Sequence, residues 1–145
     1  MQLVQSEALE LLAAEHERGH VHTAWFKDAM FDRFYVICNC CKCCGGIEAM
    51  MKYGIPVLAP SGYIAQVDED LCTACGTCVN ACPFGAISLG EEDITLDWQK
   101  CMGCGVCIDP CPNKARSLVR DERKGVPMDV RLLVKETVQE MKNGG

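Results

Sequence analysis

The sequence predicts an α+β protein built around a small pseudo-twofold core, residues 61–119. A helical, cysteine-rich extension (1–60) precedes that core and a helical tail (120–145) follows it. Three observations predict this. An 18-residue segment recurs at a spacing of 29 residues: Cys72-Thr-Ala-Cys75-Gly-Thr-Cys78-Val-Asn-Ala-Cys82-Pro-Phe-Gly-Ala-Ile-Ser-Leu89 aligns without gaps on Cys101-Met-Gly-Cys104-Gly-Val-Cys107-Ile-Asp-Pro-Cys111-Pro-Asn-Lys-Ala-Arg-Ser-Leu118, and nine of the eighteen positions are identical. So close a duplication in so short a span implies two like halves packed about an axis. Apolar residues recur at helical steps in both flanks. Finally, 13 of the 145 residues are cysteine, a density found in disulfide scaffolds and metal-cluster proteins.

The elements follow in order. Val4, Ala8 and Leu12, with Leu9 and Ala13 beside them, place a first helix that Gly19 ends. Thr23 is an N-cap for a second helix carrying Trp25, Ala29, Met30 and Phe34. Tyr35–Cys38 reads as a short buried strand running into the loop CNCCKCCGG, and a helix over Ile47–Tyr53 is closed by Gly54 and blocked by Pro56. Short strands, Tyr63–Val67 and Ile94–Leu96, lead into the two repeats and end in register at Asp68 and Asp97. After the charged run RDERKG, Pro127 and Asp129 signal a tail helix with Val130, Leu133, Val134, Val138 and Met141 on one stripe.

Composition excludes several classes. The formal net charge of −6 argues against a nucleic-acid partner, which requires a basic face. No stretch approaches 18 uninterrupted apolar residues, so no membrane insertion is expected. Residues 1–17 show no export signal, and an odd cysteine number suits a disulfide framework poorly. Both point to reduced thiols in a cytoplasmic setting, where dense cysteines mean metal. Two Trp, three Tyr and four Phe are few for a core, so the fold is expected to depend on that metal.

The cysteine spacing says which metal. Cys-x2-Cys-x2-Cys-x3-Cys-Pro occurs twice, at Cys72, Cys75, Cys78, Cys82 and at Cys101, Cys104, Cys107, Cys111. Three thiolates two residues apart let a tight loop wrap one cubane, and the fourth, before proline, reaches the other cluster. The spacing therefore assigns Cys72, Cys75, Cys78 and Cys111 to one [4Fe–4S] cluster and Cys101, Cys104, Cys107 and Cys82 to the second. Zinc sites take two cysteines per element, so zinc ranks far behind. Gly76 and Gly105 lie where a Cβ would hinder backbone approach to inorganic sulfide. Pro83 and Pro112 are expected to start helical turns. With two clusters bound the net charge becomes roughly −10, so partners should present basic docking surfaces.

These motifs resemble those of the bacterial-type two-cluster ferredoxins, over residues 63–119. The resemblance implies a ferredoxin-like 2[4Fe-4S] fold of two short β-hairpins and two short helices. It also implies one-electron transfer at low potential, with no chemistry on a substrate. Asn113-Lys114 stands where the first repeat has Phe84-Gly85, an asymmetry expected to make the clusters differ in solvation and potential.

Five cysteines remain within seven residues: Cys38, Cys40, Cys41, Cys43 and Cys44. Cys38-x-x-Cys41-x-x-Cys44 repeats the cubane-gripping spacing, but Glu48 takes the place of the fourth cysteine and no proline follows. Gly45-Gly46 frees the backbone to turn there. A third Fe–S cluster leads the readings, because five thiolates repel one another unless a cation neutralises them. Zinc or another single metal, a redox or persulfide thiol site, and a disulfide or idle thiols stay open. The region also resembles the N-terminal part of a group of anaerobe iron–sulfur proteins in which a CNCC-type box precedes a two-cluster ferredoxin domain. Gly19-His20-Val21-His22 matches that group's stretch upstream of the box, whereas Gly45 stands where it often has a further cysteine. His20 and His22 are candidates for ligation or proton coupling, with the solvated-loop reading ahead, and His16 reads as exposed.

No phosphate loop, dinucleotide fingerprint or hydrolase zinc pair is present. The reading is therefore an electron-transfer protein without catalysis of its own. Redox proteins are its partners, foremost a larger catalytic subunit carrying flavin, molybdenum or tungsten. A free soluble shuttle is one alternative. The other is a small redox enzyme or sensor whose active site is the CNCCKCC box.

Overall fold

The computed structural model describes residues 4–27, 33–43, 45–129, 131–132, 139 and 142. Its elements are α1 (Gln5–Glu17), β1 (Val21–Lys27), β2 (Arg33–Cys40), α2 (Gly45–Tyr53), β3 (Tyr63–Val67), α3 (Thr77–Ala81), β4 (Ile87–Leu89), β5 (Ile94–Leu96), β6 (Arg116–Arg120) and a 3-10 turn over Glu122–Lys124. Helices mix with three antiparallel two-stranded sheets: β1–β2, β3–β6 and β4–β5.

Helix α1 opens with the Glu7 carboxylate accepting from the Val4 N–H at 2.9 Å. It closes as expected at Gly19, whose φ of +80° suits glycine. There the Gly19 and His20 amides donate to the His16 and Glu15 carbonyls at 2.8 and 3.1 Å, a paired closure of the last turn. None of its residues is buried.

The second helix expected from Thr23 does not form. In its place β1 and β2 pair as a hairpin, with Val21 opposite Cys40, His22 opposite Asn39 and Thr23 opposite Cys38. Strand propensity explains the change: Val21, Thr23, Trp25, Phe26, Phe34, Tyr35, Val36 and Ile37 are β-branched or aromatic, and cross-strand pairing outweighs their three- and four-residue spacing. The extension is thus mixed rather than helical. The strand read at Tyr35–Cys38 falls inside β2, and Ala29 and Met30 lie outside the described residues. Helix α2 forms where expected and ends at Gly54, φ +65°. Gly46 is there for packing: a Cβ would sit 3.3–3.5 Å from Val57, Trp25 and Leu58.

Within 61–120 the two repeats make corresponding bonds. Asp68 N donates to Ala115 O at 2.8 Å, and Asp97 N to Ala86 O at 2.7 Å. Val67 lies opposite Arg116 as Leu96 lies opposite Ile87. Only β4–β5 is a local hairpin; β3 and β6 join the two ends of the unit, so the expected two hairpins become one hairpin and one long-range pair. The halves also differ. Residues 106–110 form turns where the first repeat forms α3, because Pro110 stands at the place of Ala81 and lacks the amide that would close the helix. Nor do Pro83 and Pro112 start helical turns. Helix α3 precedes Cys82, which is extended at φ −68°, ψ 112°, as a residue before proline must be.

Two buried clusters form the core. One gathers Ala65, Cys78, Ala86, Ile87, Cys101 and Cys107. The other joins Val21, Cys40 and Ile47 of the extension to Phe84 and Val106 of the repeats. Cys82 packs against both. Of the tail, Arg131, Leu132, Gln139 and Lys142 are helical and exposed, and Asp129 accepts from the Arg131 amide at 2.9 Å. The expected stripe of Val130, Leu133, Val134, Val138 and Met141 lies outside the described residues.

Candidate metal centres

The cysteine-x-x-cysteine loops owe their shape to left-handed residues. In the first, Ala74 (φ +51°) and Gly76 (φ +75°) take that conformation; in the second, Gly103 (φ +66°) and Gly105 (φ +80°) do. A Cβ on Gly76 would touch Leu89 at 3.7 Å, and one on Gly105 would touch Leu118 at 3.4 Å and Ile108 at 3.9 Å, all side-chain ends. Their need within the protein is therefore conformational. Gly103 differs: a Cβ there would run into Ser61 Oγ and the Tyr63 carbonyl, because the chain entering β3 lies across this loop. Ser61 fastens it, donating through N to Met102 O at 3.0 Å and through Oγ to Gly103 O at 2.8 Å.

Cys82 of the first run lines one cavity with Cys101, Cys104 and Cys107 of the second, walled by Phe84 and Ile87. Burial pushes the Cys104 thiol up to about 11 and the Cys107 thiol up to about 12, with the neighbouring cysteines adding to the rise. Thiolates crowded in an apolar cavity repel one another unless cations replace their protons. An all-sulfur donor set of this kind suits iron–sulfur ligation. The other four cysteines are more open: Cys78 is buried, Cys72 and Cys111 half-buried, and Cys75 exposed. Asn113, two residues beyond Cys111, donates from Nδ2 to Thr73 Oγ1 at 2.9 Å, tying the end of the second run to the first loop. The Thr77 hydroxyl beside the Cys75 thiol holds its pKa below the ordinary value.

Both fourth cysteines accept a backbone amide. Ala86 N donates to Cys82 Sγ at 3.4 Å and Ala115 N to Cys111 Sγ at 3.3 Å. The intervening left-handed residue, Gly85 (φ +59°) or Lys114 (φ +51°), turns that amide back toward the sulfur. Amide donation to a ligand sulfur is one means of setting a cluster's potential. The Phe84/Asn113 asymmetry is present: Phe84 is 2% exposed in the core shared with the extension, while Asn113 is exposed.

In the cysteine box, Cys40 is buried, Cys38 and Cys41 half-buried and Cys43 exposed; Cys44 lies outside the described residues. Cys40 and Cys38 approach to 2.8 Å, and Thr23 Oγ1 is 3.3 Å from Cys40 Sγ. Burial, and then Cys38, pushes the Cys40 thiol up. Glu48 is committed to Lys52 at 2.5 Å. Cys41 and Cys43 open on a cleft of about 690 Å³ that runs to Asn80 and Asp109 of the repeats. Among the described residues, no three His, Cys, Asp or Glu side chains converge closely enough to hold a single metal ion.

The histidines divide. His20 lines the same cleft, and its Nδ1 is hydrogen-bonded to Glu15, the partner that the end of α1 brings under it. His22 pairs with Asn39 across the hairpin, Nδ1 to Oδ1, at 2.8 Å. His16, read as merely exposed, in fact reaches Asp109 at 2.8 Å and ties α1 to the repeats. Sequence reasoning also passed over Arg116, 5% exposed, whose Nη2 donates to Cys78 Sγ at 3.3 Å. Its alignment with Ile87 in the repeat was the available signal.

Residues 65–88 and 94–117 match the 4Fe-4S binding domain family. An iron–sulfur subunit of the CoB–CoM heterodisulfide reductase of Methanopyrus kandleri is 50% identical over 36 residues, 25% of this chain and 6% of that protein. A probable ferredoxin of Methanosarcina thermophila is 55% identical over 31 residues, 21% of this chain and 53% of that protein. The chain thus spans about half the length of one relative and a small fraction of the other. The family match does not reach residues 38–44. It does pair with the two cysteine runs, and the chain therefore carries a two-cluster ferredoxin-type domain, an iron–sulfur unit of electron-transfer type.

Proposed function

We propose that this chain relays single electrons through two [4Fe–4S] clusters and a third redox centre in the cysteine box, as the electron-transfer subunit of a larger redox enzyme. Cys72, Cys75, Cys78 and Cys111 hold the first cluster, and Cys82, Cys101, Cys104 and Cys107 the second, about a pseudo-twofold axis. The observation that carries the assignment is Cys82 facing one cavity with the three cysteines of the other run. When bound, a [4Fe–4S] cluster takes up and releases one electron at low potential. The chain's own residues exclude water with Phe84 and Ile87 and donate amides to Cys82 and Cys111.

The place of the third centre is supported by packing: Cys38 and Cys40 share a core with Cys82 and Cys104, so the box lies beside the second cluster's cavity. The role within a larger enzyme is supported by the relative named as an iron–sulfur subunit of heterodisulfide reductase and by exposed Leu9 and Leu11 on α1 with Val4 just before it. A second reading has one observation in its favour. Exposed Cys43 and half-buried Cys41 open on a cleft wide enough for a small molecule, as a thiol or open-iron active site would require.

Iron, acid-labile sulfide and zinc per chain, measured on anaerobically isolated protein, test the proposal. About twelve irons and twelve sulfides are expected; about eight of each remove the third cluster, and the zinc figure then decides what the box holds. A lone native species of 15.9 kDa overturns the role within a larger enzyme.

A further inference from the structure

Arg116 is one of two buried charged side chains among the described residues, at 5% exposure. The other, Lys124, lies over the Trp98 ring at 4.1 Å and donates to the Gln99 carbonyl at 3.2 Å. Arg116 has no such neutral nest. Its hydrogen-bond partner is Cys78 Sγ, at 3.3 Å, and no carboxylate among the described residues pairs with it. A guanidinium remains charged at every working pH, and a buried charge needs an opposite charge to be stable. The opposite charge available here is thiolate.

The duplication sharpens the point. Arg116 sits 29 residues after Ile87, so the corresponding place beside the second cluster is filled by a buried hydrocarbon. The two sites have the same sulfur ligands and the same amide donated to the fourth cysteine. They differ in this one buried charge, in the Thr77 hydroxyl 3.3 Å from Cys75 Sγ where the second run has Val106, and in the cover that Phe84 gives the second site. A positive charge and a donor on a ligand sulfur favour the state with one more electron, because that state is one unit more negative.

The geometry points to Arg116 as the residue that sets the two clusters apart in potential: its guanidinium, donating to Cys78 from inside the core, holds the first cluster more positive than the second. This rests on the ligand assignment above and names what biases electron flow within it. One electron, supplied by a donor protein or an added reductant, enters the pair, and the first cluster is the one reduced. No proton moves and no bond breaks. Because exposed Cys75 belongs to that cluster, the electron comes to rest on the open side of the domain, away from the box. The second cluster, whose ligands receive no hydrogen bond from this guanidinium, should feel its charge more weakly.

The test is a redox titration of the anaerobic holoprotein followed by paramagnetic resonance, for the native chain, Arg116→Ile and Arg116→Lys. Arg116→Ile should lower the reduction equilibrium constant of the more positive cluster about tenfold or more, a shift of ~59 mV for a one-electron couple. It should move the other cluster less, and Arg116→Lys should move both less than Arg116→Ile. A fully loaded Arg116→Ile protein with both clusters titrating as in the native chain overturns the inference. If Arg116→Ile fails to retain iron, stepwise reduction of the native protein followed by proton resonance decides. The shifted β-protons of Cys72, Cys75, Cys78 and Cys111 should respond first, and the opposite order refutes the inference. Native protein without two clusters would instead refute the functional reading beneath it.

Discussion

Substituting Gly103 by alanine should damage the domain more than the same change at any other glycine of the cysteine loops, and the repeat supplies its own control. Ala74 occupies the corresponding place in the first loop at φ +51°, so a methyl group in this left-handed conformation is tolerated there. Its conformational cost is about 1–2 kcal/mol. At Gly103 a further term arises. The added Cβ would strike Ser61 Oγ and the Tyr63 carbonyl, with the Tyr63 carbonyl carbon at 2.8 Å. Tyr63 is the first residue of β3 and pairs with Arg120, so backbone must move and the closing β3–β6 pair is disturbed. Overpacking of that kind costs about 1–3 kcal/mol. The sum is roughly 2–5 kcal/mol, and at about 3–4 °C per kcal/mol the melting temperature falls by roughly 10 °C. Gly105→Ala meets only side-chain ends, Leu118 Cδ1 at 3.4 Å and Ile108 Cδ1 at 3.9 Å, and should lose about half as much. Ala74→Gly should stay within about 1 kcal/mol of the native chain, relief of strain being offset by chain entropy. The assay is thermal unfolding of the cluster-loaded proteins at one scan rate, read by visible absorbance and circular dichroism. Equal losses for Gly103→Ala and Gly105→Ala would refute the clash argument.

Three further outcomes are expected. Serine at Cys82 should perturb the spectrum of the cluster held by Cys101, Cys104 and Cys107, and serine at Cys111 that of the other; the reverse pairing would dismantle the crossed ligand assignment. Asp121 accepts from Trp98 Nε1 and from Arg123, both at 2.7 Å, and the Arg123 guanidinium first, then Trp98, holds its carboxyl well below the usual carboxylate range. Its contribution to stability is present above the unfolded value of about 3.9 and is lost as pH falls through the folded one. The stability gap between native protein and Asp121→Asn should therefore be constant from pH 7 down to about 4 and close below that; a gap that widens on acidification contradicts the assignment. Finally, Asp109→Ala removes the 2.8 Å pair with His16. Hydrogen exchange in α1 should quicken by no more than corresponds to about 1 kcal/mol, the ceiling for so exposed a pair, while cluster potentials stay fixed.

The two cysteine runs, which coincide with the family match at 65–88 and 94–117, were legible from spacing alone, because a tight loop can bring together only thiols a few residues apart. Sequence was sufficient as well for α1, α2, β3 and β5, whose caps and apolar steps are local. It failed where partners are remote. The segment after Thr23 has helical spacing, and only Cys38 and Cys40 paired across from Thr23 and Val21 make it a strand. Strands β4 and β6 lie at the ends of the cysteine repeats, and only β5 and β3 paired opposite them make them strands. His16 looked idle until folding brought Asp109 to it, and Arg116, unremarked within the repeat, proved to be buried against Cys78. Local chemistry is written in the order of residues. The charge felt by each cluster, the water excluded from it and the nearness of the cysteine box depend on residues remote along the chain, as Arg116 is from Cys78 and Cys40 from Cys104, and only tertiary packing decided them.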